Sequence, residues 1–267
     1  MAQYCGSAQH EAIRCSVIKL WQKEQKMVHG GGRATKNYYG EDIMQIRDLH
    51  KYGQRFTVKR GEIISDSIEG SDNEYMYILD KGLAALTSTN KRGDEFIYIF
   101  FKAPRCIGFS PLVRKMMDIQ PFPEVHQPTL LSILAKSDCV LYRISQNDFS
   151  ELMKDREFSD LMTQVIFSTY MDMLYHYYTS REASAAGRLC GLIVEQSEAD
   201  KSGRLILDPL FTYDELSHYL GVHNITVARI MSALKKEGII KKDGRKTVIS
   251  DMEKLRAVMN EDIILQY

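Results

Sequence analysis

The stretch from Thr212 to Ile249 leaves little freedom in how it can fold. Thr212 with Glu215 three positions later forms a capping box, a hydroxyl for an orphan N–H and a carboxylate to reach back, so a helix starts here. Leu216 and Leu220 give that helix its buried stripe. Gly221 ends it, because glycine enters the left-handed region without steric cost. After the break at Gly221 to His223, Asn224 is a favoured N-cap, and Val227, Ile230, Met231 and Leu234 recur at helical spacing. Gly238 stops this second helix. Ile239 and Ile240 then begin a strand, Asp243-Gly244 reads as a two-residue hairpin turn, and Thr247 to Ile249 runs back.

Two short helices joined by a tight glycine turn and followed by a β-hairpin make a winged helix-turn-helix, whose second helix suits the major groove of double-stranded DNA. The charges agree. Arg229, Lys235, Lys236, Lys241, Lys242, Arg245 and Lys246 lie in or just after the second helix, against Glu237 and Asp243. Phosphate contacts need such cations. A charge run alone reads equally well as solvated lysines, so it is the capping, turn and wing together that favour the DNA reading.

The run Leu220-Gly-Val-His-Asn-Ile-Thr-Val-Ala-Arg229 resembles the recognition segment of the Crp/Fnr family of bacterial transcription regulators, and the resemblance extends from about Asp42 to about Val258. Family members commonly carry Ser-Arg-Glu-Thr-Val-x-Arg. Thr226, Val227 and Arg229 match, whereas His223, Asn224 and Ile225 replace the Ser, Arg and Glu. The resemblance implies DNA contacts by His223, Asn224, Thr226 and Arg229, with Lys235, Arg245 and Lys246 as further cations. Ile225 cannot accept a hydrogen bond from cytosine as glutamate can, so the half-site should differ from the family's commonest one. The Gly221-Val-His-x-x-Thr-Val227 run is more narrowly similar to regulators of anaerobic halorespiration that sense chlorinated phenols.

A chain of 267 residues suits two modest domains and a connector. Its 35 basic and 35 acidic side chains balance, so any nucleic-acid footprint must be local. No long apolar run or signal-type N-terminus appears, and a soluble cytoplasmic protein without membrane contact is expected. The five cysteines form no Cys-x-x-Cys pair. Some family members hold an iron–sulfur cluster. Here Cys5 and Cys15 with Cys106 or Cys139 lack the closely grouped spacing, so structural thiols and no cofactor are expected. No His pair among His10, His29 and His50 has zinc-site spacing.

Residues 1–41 read as an N-terminal extension, with Ile13, Val17, Leu20 and Trp21 at helical spacing. The Gly30 to Lys36 stretch lacks Gly-Lys-Ser/Thr and a preceding strand, so it is not a phosphate loop. From Asp42 to Ser145 short β-rich runs alternate with turn signals: Phe56 to Val58, Glu62 to Ile64, Tyr75 to Leu79, Leu83 to Thr87, Phe96 to Phe101, Leu130 to Leu134 and Cys139 to Ile144. Such spacing favours a double-sheet jelly roll or barrel, where the family places its cyclic-nucleotide-type sensory barrel. Tyr77 to Gly82 resembles that domain's characteristic turn, and Ile107-Gly-Phe109 the start of its phosphate-binding cassette.

Nucleotide-binding members carry a glutamate soon after the cassette glycine and then an Arg-Ser pair for the cyclic phosphate. Here Phe109, Ser110 and Pro111 follow Gly108, and Thr129-Leu130 takes the place of Arg-Ser. A buried phosphate without an arginine would be a poorly compensated charge, so cyclic AMP is not expected to bind. Phe109, Tyr98 and Phe101 fit either a more apolar effector or plain barrel core. Gly108, Phe109, Ser110, Phe167 and Tyr170 are the candidate effector contacts.

Phe149 and Leu152 open a helical periodicity that continues through Phe158, Leu161, Met162, Val165, Ile166, Tyr170, Met173, Leu174 and Tyr177, read as one long helix. Its apolar stripe is broad enough for the barrel and a partner helix. In the family this helix makes the dimer. Ala185 to Gln196 forms the next helix, Ser197 to Arg204 a polar turn and Leu205 to Leu207 a short strand, with a last helix after Asp251. The expected fold is therefore α+β: an extension (1–41), a cyclic-nucleotide-binding-type β-barrel (42–148), a dimerisation helix (149–182) and a winged helix-turn-helix (183–260). The resemblance implies a homodimeric regulator, not an enzyme, that binds an inverted-repeat operator under an unidentified small-molecule effector; activator is the working reading, with RNA polymerase as a candidate partner, and the residues leave activator and repressor both open. A nucleotide-sensing regulatory subunit that never touches DNA is the alternative.

Overall fold

The computed structural model describes residues 44–66, 74–90, 92–119 and 131–267. The extension over 1–41 with Cys5, Cys15, His10, His29 and the Gly30 to Lys36 stretch lies outside them, as does Thr129-Leu130. The chain divides into two compact units, one holding the described parts of 1–84, 101–127 and 132–174, the other those of 85–100, 128–131 and 175–267.

A 3-10 helix, Ile46–Tyr52, is followed by β1 (Gln54–Val58), β2 (Ile63–Asp66), β3 (Tyr75–Lys81), β4 (Leu83–Thr89), β5 (Glu95–Lys102), β6 (Arg105–Ile107), α1 (Ser110–Met116), β7 (Leu131–Ala135) and β8 (Cys139–Ser145). Two four-stranded sheets result, ordered β1-β8-β3-β6 and β2-β7-β4-β5. Strands distant in sequence become neighbours, as a double-sheet barrel demands. In the first sheet β8 runs antiparallel to β1, with Phe56 opposite Leu141, and to β3, with Met76 opposite Ile144. Period-two alternation turns Met76, Ile78 and Ile144 into a core with Cys106, Leu49, Phe109 and Leu112. The β3–β4 link needs Gly82: its φ is +103°, and a Cβ there would lie 2.7 Å from the Asp138 carbonyl oxygen.

The single long helix expected from Phe149 is two: α2 (Gln146–Leu152) and α3 (Arg156–Glu182). The Ser145 hydroxyl accepts from the Asp148 N–H at 3.2 Å to start α2, and the Asp155 carboxylate accepts from the Phe158 N–H at 3.0 Å to restart the helix. The break brings Phe149 and Phe158 together in the core, their rings 5.8 Å apart in a T-shaped contact. The start of α3 buries Phe158, Leu161, Met162 and Val165, while from Ile166 onward the helix exposes Ile166, Phe167, Tyr170, Met173, Leu174 and Tyr177. Arg105 of β6, almost wholly buried, pairs with Asp172 of α3 at 2.5 Å.

The C-terminal part of the second unit contains α4 (Ala185–Gln196), β9 (Ser197–Ala199), β10 (Leu205–Leu207), α5 (Tyr213–Leu220), α6 (Asn224–Lys236), β11 (Ile240–Asp243), β12 (Lys246–Ile249) and α7 (Met252–Met259). Its sheet has the order β11-β12-β10-β9, so the expected polar turn from Ser197 begins as a strand. Ser184 caps α4 by accepting from the Gly187 N–H at 3.1 Å. Gly187 also lets α4 lie against α7: a Cβ there would stand 3.3 Å from the Met259 carbonyl oxygen. No helix among the described residues is long and apolar enough to cross a membrane.

Candidate nucleic-acid interface

The helix pair follows from its caps. Thr212 Oγ1 accepts from the Glu215 N–H at 3.2 Å and starts α5. Gly221, left-handed at φ 63° and ψ 35°, ends it. The N-cap of α6 is His223, not Asn224: His223 has extended backbone angles and no side-chain cap bond. Asn224 is the first helical residue, and its Nδ2 donates to Asp214 Oδ1 of α5 at 3.3 Å. The amide braces the two helices instead of folding back on its own.

One face of α6 is buried through Val227, Ile230, Met231 and Leu234. The opposite face exposes Asn224, Ile225, Arg229, Ser232, Lys235 and Lys236, with Ala228 half-buried among them. Among the candidate contacts, His223, Arg229, Lys235, Arg245 and Lys246 are exposed, and Thr226 is half-buried. Ser232 and Ala228 were not singled out from sequence, although helical spacing from Ile225 and Arg229 marks them.

The wing turn lies one residue later than Asp243-Gly244. Asp243 pairs with Lys246 across the hairpin, leaving Gly244 and Arg245 as the two loop residues. Gly244 takes φ +58°, the positive angle that a two-residue hairpin needs at its first loop position. Arg245 thereby stands at the wing tip.

The wing's acid is already neutralised. Asp243 accepts from Arg204 Nη1 at 2.8 Å, and Arg204 also holds Asp200 at 2.8 Å. Hydrogen bonds that Arg204 donates to Asp200 first and Asp243 second hold its guanidinium more firmly protonated than usual. By contrast, partial burial and then the charge of Lys235 push the Lys242 ammonium below its ordinary pKa. Two cations from α6 and the wing thus stand close enough to repel, an arrangement that an anion between them would relieve.

The candidate effector residues fall in two places. Gly108 has φ +71°, and a Cβ there would lie 2.8 Å from Tyr77 Cδ2. Phe109 packs into the core, and Ser110 begins α1. Phe167 and Tyr170 are exposed on α3, and the cluster around Phe109 reaches Val165 of that helix but neither of them. Cys106, Cys139 and Cys190 are buried free thiols. Burial pushes the pKa values of Cys106 and Cys190 up to about 12, so both stay protonated at neutral pH. No group of three His, Cys, Asp or Glu able to hold a metal occurs among the described residues.

Comparison with known proteins places these features. The Crp-like helix-turn-helix domain matches residues 187–258, and the cyclic nucleotide-binding domain matches residues 55–156. No curated protein matches the chain. Among solved structures, FixK2 from Bradyrhizobium japonicum is 17% identical with a TM-score of 0.62, covering 77% of this chain and 96% of its own. A CooA variant from Carboxydothermus hydrogenoformans is 16% identical with a TM-score of 0.61, over 79% and 90%. A CRP/FNR-family transcriptional regulator from Thermus thermophilus is 18% identical with a TM-score of 0.58, over 78% and 98%. With both of its domains matched in the order β-barrel, long helix, helix-turn-helix, this chain belongs to the Crp/Fnr family of DNA-binding transcription regulators.

Proposed function

We propose that the protein acts as a homodimer on an inverted-repeat operator, under control of a small-molecule effector other than cyclic AMP. The observation that carries the reading is α6: one face fully buried, the other exposed and, apart from Ile225 and Ala228, polar or basic, with exposed Lys241, Lys242, Arg245 and Lys246 following in the wing. His223, Asn224, Thr226 and Arg229 are the proposed base and phosphate contacts, with Lys235, Arg245 and Lys246 on phosphates. Counterion release from these cations supplies the sequence-independent part of the affinity.

The exposed stripe on α3 supports the dimer. Ile166, Tyr170, Met173 and Tyr177 recur at the spacing by which two helices pack side by side. Two-fold symmetry then sets the α6 helices about 34 Å apart, in successive major grooves. Against cyclic AMP, the position after Gly108 holds buried Phe109 where a ribose would need a carboxylate, and the buried Arg105 is already paired with Asp172. An effector in contact with Phe167 or Tyr170 would act by binding one dimer arrangement more tightly than another.

Selection of bound duplexes from a random library, at two salt concentrations, tests the reading. Enrichment of a palindrome with half-sites one helical turn apart is expected. Absence of retention at low salt, with and without candidate effectors, would remove it.

A further inference from the structure

Ile225 sits in the first turn of α6 and is 68% exposed. The face around it is otherwise polar or basic: Asn224 beside it, Arg229 one turn on, then Ser232, Lys235 and Lys236. Only Ala228, three residues along and half-buried, continues the apolar spot. Ile225 is absent from the α6 core of Val227, Ile230, Met231 and Leu234, so packing of this domain does not require it.

In the major groove the one apolar feature of a base edge is the C5-methyl of thymine, and apolar side chains are its partners. Resting on the DNA-binding reading above, we infer that Ile225, supported by Ala228, reads a thymine methyl in each half-site. An isoleucine there offers no acceptor to cytosine and no donor to guanine. Discrimination therefore comes from burying methyl and isoleucine carbons together, and from the unmet polar edge of any other base. Arg229, one helical turn away on the same face, is placed to contact an adjacent base or its phosphate. Ile225 is thus a specificity residue whose selectivity is for a single carbon atom.

Exchange of deoxyuridine for thymidine, one position at a time in the selected operator, removes only that methyl. At the position read by Ile225, affinity should fall about fourfold per half-site and about fifteenfold when both half-sites are changed. Ile225→Ala should bind the thymine operator more weakly and become indifferent to the uracil exchange. Ile225→Glu should shift preference towards cytosine at that position. Since Ile225 is exposed, all variants should keep the wild-type melting curve, which checks folding directly. 5-Methylcytosine in place of cytosine should restore part of the binding by wild type but not by Ile225→Ala. A bound operator whose affinity is unmoved by uracil at every thymine, or an Ile225→Ala variant as sensitive to uracil as the wild type, overturns the assignment and leaves the DNA-binding reading standing. Failure to retain any duplex at low salt overturns both.

Discussion

Removing the Asp172 carboxylate should be among the costliest single changes in the barrel unit. Arg105 and Asp172 have side chains only 7% and 10% exposed. Without Asp172, the remaining contacts of the guanidinium are Thr169 Oγ1 at 3.3 Å and the Phe101 ring at 5.3 Å, neither of which carries a charge. A buried cation stripped of its partner costs about 3–5 kcal/mol. With a urea m-value of about 3 kcal/mol/M, Asp172→Ala should lower the unfolding midpoint by about 1–1.7 M at fixed protein concentration. Circular dichroism across a urea series reads this directly. The double variant Arg105→Met with Asp172→Leu removes both charges and should recover most of the loss, since well-packed apolar replacements of buried pairs are often neutral or better. Glu151→Ala provides the contrast: its pair with Lys154 is about 70% exposed on both sides and should change stability by less than about 0.5 kcal/mol. If Asp172→Ala costs no more than Glu151→Ala, or if the double variant is as unstable as the single one, the charge-burial reasoning is wrong.

Three further outcomes follow from the geometry. Gly82→Ala should destabilise by more than about 2 kcal/mol, because strain at φ +103° adds to a 2.7 Å approach to backbone, whereas Gly244→Ala meets open space at φ +58° and should cost about 1 kcal/mol; thermal melts of the two variants give the order. His176 is pushed below its ordinary pKa by burial first and by the Arg188 charge second, so it favours the folded state fully above about pH 6.5 and loses that contribution as pH falls towards its folded value; His176→Phe should therefore show a shallower decline of stability between pH 7 and 5. Lys246→Ala should reduce the slope of log affinity against log salt by about one and weaken all sequences alike, while Arg229→Ala should cost about 1–3 kcal/mol at a particular base pair if it meets a guanine edge; titrations of matched and mismatched duplexes separate the two.

The DNA-binding half was legible because its signals are local. Thr212, Gly221 and Gly238 each fix a helix end within three residues of chain, and Gly221 and Gly238 do have positive φ. The differences there are single-residue shifts with three-dimensional causes: Asn224 turns to Asp214 on the neighbouring helix, and the hairpin registers so that Gly244 opens the turn. The break between α2 and α3 was hidden by continuous apolar periodicity, yet one clue was present. Phe149 and Phe158 are nine positions apart, which places them on opposite sides of an unbroken helix at 100° per residue, and both belong to one core. The Arg105–Asp172 pair had no sequence signal, since its members lie 67 positions apart and look like any surface charges.

Charge was legible only in part, for a related reason. A chain with equal numbers of acids and bases has no basic signature, and the wing region by sequence still contains Asp243 among its cations. Folding changes that balance locally. Arg204 arrives from the strand pair β9–β10 and closes on Asp243 and Asp200 together, so the acid that would repel a phosphate is occupied, while burial first and the charge of Lys235 second push the Lys242 ammonium below its ordinary pKa. The cationic surface is therefore a product of which acid the fold pairs away and of which lysines it leaves together. Arg204→Ala should accordingly weaken DNA binding without Arg204 touching DNA, by returning the Asp243 carboxylate to the wing. Adding Asp243→Asn should restore the affinity, and a double variant that binds no better than Arg204→Ala would show that Arg204 contributes through its own charge instead.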